Sequence, residues 1–418
     1  MDYFNYQDGQ LFAEEVSVAS LANQFGTPCF IYSRTSIEEQ YKAYEKAFNG
    51  HPSLICYAVK ANSNLAVLNV LSKLDAGFDI VSGGELDRVL AAGGDPRKVI
   101  FSGLGKTKDE IISGLEAKIL CFNIESEAEL HRIDEVAKTQ NQVAPISIRV
   151  NPDVDAETHP YISTGLKENK FGVPIASALS LYRQAADMTG VNIIGIDAHI
   201  GSQLTSVKPF LNSIDCLFVL IDQLKAEGIN LSHVDIGGGL GIKYDQEEPP
   251  EPSDLISCVR EKFADRNLKI VIEPGRSIAA NAGIFVTRIE YLKSNNTKSF
   301  AIVDGAMNDL IRPALYSAWQ DIIPVKQSTN AKLKRYDIVG PICESADFLG
   351  KDRQLDVKSG DLLAVRSAGA YGFVMSSNYN SRPRAPELMV EGHSAHLVRD
   401  RETVSDLYRN EYLLPSEK

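Results

Sequence analysis

Short apolar runs recur through the first two thirds of the chain, at residues 54–59, 78–81, 99–102, 120–124, 146–150, 193–199, 234–236 and 270–273. Each is close to continuously apolar, as expected of strands buried on both faces. The segments between them carry helical spacing. Leu65, Leu68, Leu71 and Leu74 repeat at that period, and so do Leu86, Val89 and Leu90. Ser126 followed by Glu129 predicts a helix start closed by a capping box. Strands alternating with amphipathic helices imply a parallel sheet covered on its outside, and eight of them predict a closed (β/α)8 barrel. A doubly wound open sheet is the second architecture compatible with the pattern.

The texture changes after about residue 278. Residues 285–292 mix apolar and polar positions in partial alternation, and 300–303, 336–339 and 362–365 are further short strands bounded by Gly, Asp and Asn. Only 307–318 competes as a helix. This half reads as a mostly β domain. The connection 151–174 is too long for a simple βα loop and is expected to be a lid or interface segment. The acidic, proline-rich stretch 245–252 reads as a solvated loop.

Composition narrows the class. Hydrophobic residues make up 44% and charged residues 23% of the 418, the balance of a globular chain and not of a disordered one. A net charge of −12 disfavours a nucleic-acid surface. No apolar run approaches the ~20 residues of a membrane span, and the opening residues do not read as a secretory signal, so cytoplasmic residence is expected. The six cysteines show no Cys-x-x-Cys pair and no zinc spacing, so no metal is expected. Five of them, Cys29, Cys56, Cys121, Cys216 and Cys258, read as small core hydrophobes; Cys343 lies in a loop beside Glu344.

Chemistry gathers at the ends of the predicted strands. Lys60 closes the first run, where a desolvated amine is free to condense with an aldehyde. Asp79 ends the second. His199 and Ser202 follow the sixth, a ring that can stack on a flat ligand and a hydroxyl that can meet a phosphate. Gly237, Gly238 and Gly239 follow the seventh, where glycines let the backbone approach an anion. Glu273 ends the eighth, ahead of Gly275 and Arg276, and a carboxyl there can hold a ring nitrogen protonated. Strand ends of one sheet converge on one mouth. Amine, stacking ring, phosphate cradle and acid are together what pyridoxal 5′-phosphate requires.

These motifs, Tyr57-Ala58-Val59-Lys60-Ala61-Asn62, His199-Ile200-Gly201-Ser202, Gly237-Gly238-Gly239-Leu240-Gly241 and Glu273-Pro274-Gly275-Arg276, resemble the signature of the barrel-type, fold type III pyridoxal-phosphate decarboxylases. Thr158–Gly165 with Lys170-Phe171-Gly172, and Gly340–Asp347, resemble the diaminopimelate decarboxylase branch of that family. The resemblance runs from about residue 25 to the C-terminus. It implies a barrel over 34–277 and a β domain from 1–33 with 278–418, the N-terminal strand near Cys29 crossing over to it. It also implies Tyr371 at the cofactor phosphate and in the substrate site, and Cys343 as the donor of the proton that ends the reaction. Finally it implies a homodimer with shared sites, the Cys343–Glu344 loop reaching the partner's barrel.

A carboxylate at position 273 favours decarboxylation over racemisation, because a protonated ring absorbs electrons best. A substrate with a distal carboxylate calls for arginine. By resemblance Arg276, Arg312 and Tyr316 bind that carboxylate and Glu344 meets the distal ammonium. Those contacts fit meso-diaminopimelate, whose decarboxylation gives L-lysine and CO2 as the last step of bacterial lysine biosynthesis. Decarboxylation of carboxynorspermidine, ornithine or arginine, or an inactive regulatory homologue, are the alternatives; the presence of Lys60 and Cys343 weighs against the last.

Overall fold

The structure, a computed structural model, describes residues 2–154, 170–329 and 331–415. The chain divides into two compact units, Ile37–Ile278 and Met1–Ser36 with Ala279–Lys418. Most of the 151–174 connection, and the Thr158–Gly165 motif within it, lie outside the described residues.

The first unit is a closed barrel. Its strands are β1 (Ser53–Ala58), β2 (Gly77–Ile80), β3 (Val99–Phe101), β4 (Cys121–Ile124), β5 (Ala144–Asn151), β6 (Val191–Asp197), β7 (His233–Asp235) and β8 (Lys269–Ile272). Every neighbouring pair is parallel, and β8 pairs back onto β1 through Ile270 and Ser53. Tyr57, Phe78, Phe101 and Phe122 are fully buried, each stabilising the fold by roughly 1.5–3 kcal/mol relative to exposure. Leu54, Cys56, Ile100, Cys121 and Val271 form one packed layer.

The helices begin where polar caps stand. Asn64 accepts from the Ala66 N–H at 2.9 Å, Ser82 from that of Glu85, and Thr107 forms a reciprocal box with Glu110. At Ser126 the expected box is only half made. Ser126 Oγ accepts from the Glu129 N–H at 3.2 Å, but the Glu129 carboxylate turns to Lys106 (2.6 Å) and the Glu125 N–H (2.8 Å). A buried ammonium outbids a backbone donor. The first strand also stops earlier than its apolar run. It ends at Ala58, and Lys60 sits in a 3₁₀ turn, Val59–Ala61. Cys216 and Cys258 are half-buried and not in the core, whereas Cys29, Cys56 and Cys121 are buried.

In the second unit the long strand Gly283–Ser294 is the organiser. It pairs antiparallel with Cys29–Ser33, Ser299–Val303 and Leu362–Val365. Cys29–Ser33 is buried along its whole length and pairs parallel with Glu387–Glu391 on its other side. Phe4, Leu11, Ile31, Ile284, Val286 and Leu388 share this unit's core. The helix expected over 307–318 is one turn, Arg312–Tyr316, because Ser317 adopts φ +51° and ends it. Among the described residues, no helix is long and apolar enough to cross a membrane.

One barrel residue carries a pH signature. His233, at the start of β7, is buried, its Nε2 has no hydrogen-bond partner, and a Cβ on Gly195 would lie 2.2 Å from that atom. Burial, with a smaller push from Lys269, lowers its pKa to about 4. The unfolded chain, with its histidine near ~6.5, therefore binds more protons than the folded one between those values. Stability is full above the unfolded pKa and falls as pH drops toward 4, by on the order of 3 kcal/mol from this residue. Denaturant titrations at pH 7 and pH 4.5 should show a smaller loss in His233→Gln than in wild type; equal losses would show that His233 is not the group responsible.

Candidate active site

At the carboxyl ends of the strands, the turn after β1 carries Lys60, whose Nζ donates to Asp79 Oδ2 at 2.8 Å. Asp79 is fully buried near the end of β2 while the lysine side chain is 38% exposed, so the pair fixes the amine and leaves it reachable. Gly275 lies close behind: a Cβ there would come 3.0 Å from those of Ala58 and Ala61.

His199 follows β6. Its Nδ1 accepts the Gly238 N–H at 3.1 Å, so a neutral ring carries its proton on Nε2. Burial, then Arg149 and Lys60, hold its pKa well below the usual histidine range. A neutral, oriented imidazole is suited to stacking. Ser202 Oγ accepts from Arg276 Nη2 at 2.9 Å and Nε at 3.3 Å. The same guanidinium donates to Tyr244 Oη at 2.7 Å. Ser202 therefore keeps its own proton to donate.

The glycine turn fits less simply than its sequence suggests. The N–H of Gly237 goes inward to Asp235 Oδ1 at 2.8 Å, and that of Gly238 to His199. Among the described residues the Gly239 N–H has no partner, and its φ of +109° is one that glycine alone tolerates well. A Cβ on Gly238 would stand 2.1 Å from the Glu273 carbonyl oxygen. The turn is thus a close-packed shelf with its open donor at Gly239.

Glu273 follows β8 and is buried. Ser102 Oγ, itself receiving Asn123 Nδ2 at 3.1 Å, stands 3.4 Å from its Oε1. Asp197 and Asp235 bring carboxylate oxygens within 4.8 Å of its own. Burial first, then Asp235, Asp79 and Asp197, raise its pKa well above the carboxylate range, with Lys60 opposing. A carboxyl that holds a proton here can give it to a ring nitrogen. Reachable amine, neutral ring, open backbone donor and protonated acid together fit a pyridoxal-phosphate cofactor.

Sequence reasoning missed Asp197, Asp235, Tyr244, Ser102, Asn123 and Arg149. The first two had a signal, since an aspartate inside an otherwise apolar strand is seldom solvated. Arg149 ion-pairs with Glu125 at 3.0 Å and reaches Asp197 at 3.8 Å. Glu125 also accepts the Gly172 N–H at 2.7 Å, where the chain returns from the long connection.

The remaining expected residues belong to the second unit. Arg312 is buried at the start of its short helix, with Tyr316 half-buried at the other end. Tyr371 is held at φ +55°, a conformation costing a tyrosine ~1–3 kcal/mol and common at functional sites. Cys343 and Glu344 are exposed on a loop closed by buried Asp347, which accepts the Ile342 N–H at 2.7 Å across the loop and the Met307 N–H of a separate segment at 2.8 Å. Asn380 Oδ1 accepts the Cys343 N–H at 2.9 Å, and Tyr379 Oη donates to Glu344 at 2.6 Å.

A closed parallel barrel with a strand-end lysine and a buried acid is the architecture of the pyridoxal-dependent decarboxylases, and residues 34–280 match that family's pyridoxal binding domain. The chain is 59% identical over 415 residues to the diaminopimelate decarboxylase of Pseudomonas aeruginosa, 99% of this chain and 100% of that one. It is 58% identical to that of Vibrio cholerae, over 99% and 100%. The structure of diaminopimelate decarboxylase from Helicobacter pylori complexed with L-lysine superposes with a TM-score of 0.91 at 42% identity, covering 94% of this chain and 98% of that one. The chain belongs to the diaminopimelate decarboxylase family.

The shelf gives a direct test. Gly238→Ala must displace the Glu273 backbone, costing about 1–3 kcal/mol of stability as an overpacked site. Thermal melts should show that loss, and absorbance titration should show cofactor affinity reduced at least ~10-fold. Unchanged affinity would mean that the shelf does not shape the cofactor site.

Proposed function

We propose that this chain decarboxylates meso-diaminopimelate to L-lysine and CO2 with pyridoxal 5′-phosphate held on Lys60. The observation that carries the reading is near-full-length identity of 59% with a diaminopimelate decarboxylase. When bound, the cofactor ring supplies a sink for the electrons left on the substrate Cα as CO2 departs. The chain's own groups do the rest. Asp79 orients the Lys60 amine, His199 packs a neutral ring at the mouth, and Glu273 keeps a proton for the ring nitrogen. Gly239 with Ser202 and Arg276 forms the anion-binding corner, and by the family resemblance Tyr371 also binds the cofactor phosphate. By the family resemblance Arg276, Arg312 and Tyr316 recognise the distal carboxylate, Tyr371 contacts the substrate, and Glu344 accepts from the distal ammonium. Cys343 returns a proton to Cα.

A CO2-release assay with meso-diaminopimelate, lysine, ornithine and arginine should show turnover of the first alone. Arg312→Ala should lower kcat/KM for it by at least ~2 kcal/mol, about 30-fold. Equal release from ornithine, or an unaffected Arg312→Ala, would count against the assignment.

The protein works as a homodimer in which Cys343 and Glu344 serve the barrel of the partner. Their exposure on a braced loop supports this. Lys60→Ala and Cys343→Ala proteins should each be inactive, and exchanging their subunits should restore about a quarter of wild-type activity, from mixed dimers with one intact site. With exchange verified by mass, an inactive mixture would mean that each site is built from one chain.

A further inference from the structure

Asp197, Asp235 and Glu273 place carboxylate oxygens within 4.8 Å of one another, with relative exposures of 1%, 0% and 5%. Each needs an answer to its charge, because an unpaired buried carboxylate costs several kcal/mol. Asp197 has one in Arg149, 3.8 Å away. Asp235 and Glu273 do not. Among the described residues no cation stands within 4 Å of either, and Lys60 is committed to Asp79. Asp235 Oδ1 accepts the Gly237 N–H at 2.8 Å, while Oδ2 is buried without a partner. Glu273 has only the long contact from Ser102 at 3.4 Å. Carboxylate oxygens of Asp235 and Glu273 lie within 4.8 Å of each other, a spacing that two bare, buried carboxylates do not sustain.

We propose that Asp235 and Glu273 share a single proton between their neighbouring oxygens, and that Asp235 is a positioning residue that stores this proton and aims it at the site of the ring nitrogen. The bond gives the orphaned Oδ2 its partner and leaves the pair with one negative charge. The groups facing the pair are Asp79 from β2, Arg149 from β5, Asp197 from β6 and Lys60 from the turn after β1. Two of these are anions and two are cations, and each cation is paired with one of the anions, Lys60 with Asp79 and Arg149 with Asp197, so neither is left to answer the charge of the pair. Burial pushes Asp235 up to about 7 and raises Glu273 well above the usual carboxylate range, consistent with one titrating unit. A bound divalent cation is the competing answer. It would need ~6 oxygen ligands where three carboxylates meet, with Asp197 already engaged by Arg149.

The storage role rests on the proposed use of pyridoxal phosphate; the shared proton does not. Infrared difference spectra of the apoprotein in H2O and D2O test the proton itself. Asp235→Asn and Glu273→Gln should each abolish the same protonated-carboxyl band, and the double variant should abolish nothing more. Loss in only one single variant, or in neither, overturns the sharing. Should a variant fail to fold, a crystal structure of the wild-type apoprotein at neutral pH decides. It must show Asp235 Oδ2 within about 2.5–3.0 Å of a Glu273 oxygen; a wider gap or an intervening cation overturns the proposal. In the holoenzyme Asp235→Asn should displace the kcat–pH profile and lower kcat about tenfold, with KM little changed. An unmoved profile overturns the positioning role. Wild-type protein that shows the shared band but releases no CO2 would instead sink the proposed function and leave the pair standing.

Discussion

Closing eight strands into a ring leaves the carboxyl groups of Asp79, Asp197, Asp235 and Glu273 where bulk water does not solvate them. That single constraint organises the mouth of the barrel. Each acid must be answered by a cation, a backbone donor or a proton, and every chemically useful group nearby supplies one of these. Lys60 answers Asp79, which fixes the amine. Arg149 answers Asp197 and Glu125, and Glu125 in turn holds Gly172 at the return of the long connection. The Gly237 N–H answers one oxygen of Asp235, which sets the course of the glycine turn. The geometry of the site is largely the geometry of these compensations.

The second unit uses a buried acid differently. Asp347 accepts the Ile342 N–H across the short loop that it ends and the Met307 N–H of a separate segment, so the loop is closed at its base and anchored to its neighbour. Asn380 and Tyr379 then brace the exposed residues Cys343 and Glu344. Asn380 does so from φ +56°, a region that asparagine tolerates better than most residues. In the barrel an acid creates a need for partners; here it satisfies the needs of a turn.

The alternation of strand and helix was legible because doubly buried strands must be apolar throughout, and the eight runs map onto eight strands. Strand-end chemistry was legible for the same reason, since Lys60 or Glu273 after such a run has no ordinary explanation. Hydrogen-bond partners were not. Nothing local says that Glu129 will abandon its cap for Lys106, because Lys106 arrives from the preceding loop. Nor does local sequence reveal that the Gly238 donor turns to His199, which comes from a different strand end. Asp197 and Asp235 were visible in their strands, but only the side-by-side pairing of β6, β7 and β8 makes them neighbours of Glu273. The short helix at Arg312 was over-read because a left-handed Ser317 has no signature in composition.

The interleaving of the two units along the chain has a consequence for synthesis. Strand Cys29–Ser33, buried over its full length, lies between Gly283–Ser294 and Glu387–Glu391. At ribosomal rates of ~5–20 residues per second, its last neighbour emerges roughly 20–70 s after it does. All of the barrel's residues leave the ribosome in between. The nascent chain therefore carries an unpaired, apolar strand through the whole of barrel folding, with both edges open to any passing chain. Shielding by a chaperone, or by transient contact with other apolar surface, is a requirement that this order of segments imposes on the cell that makes the protein.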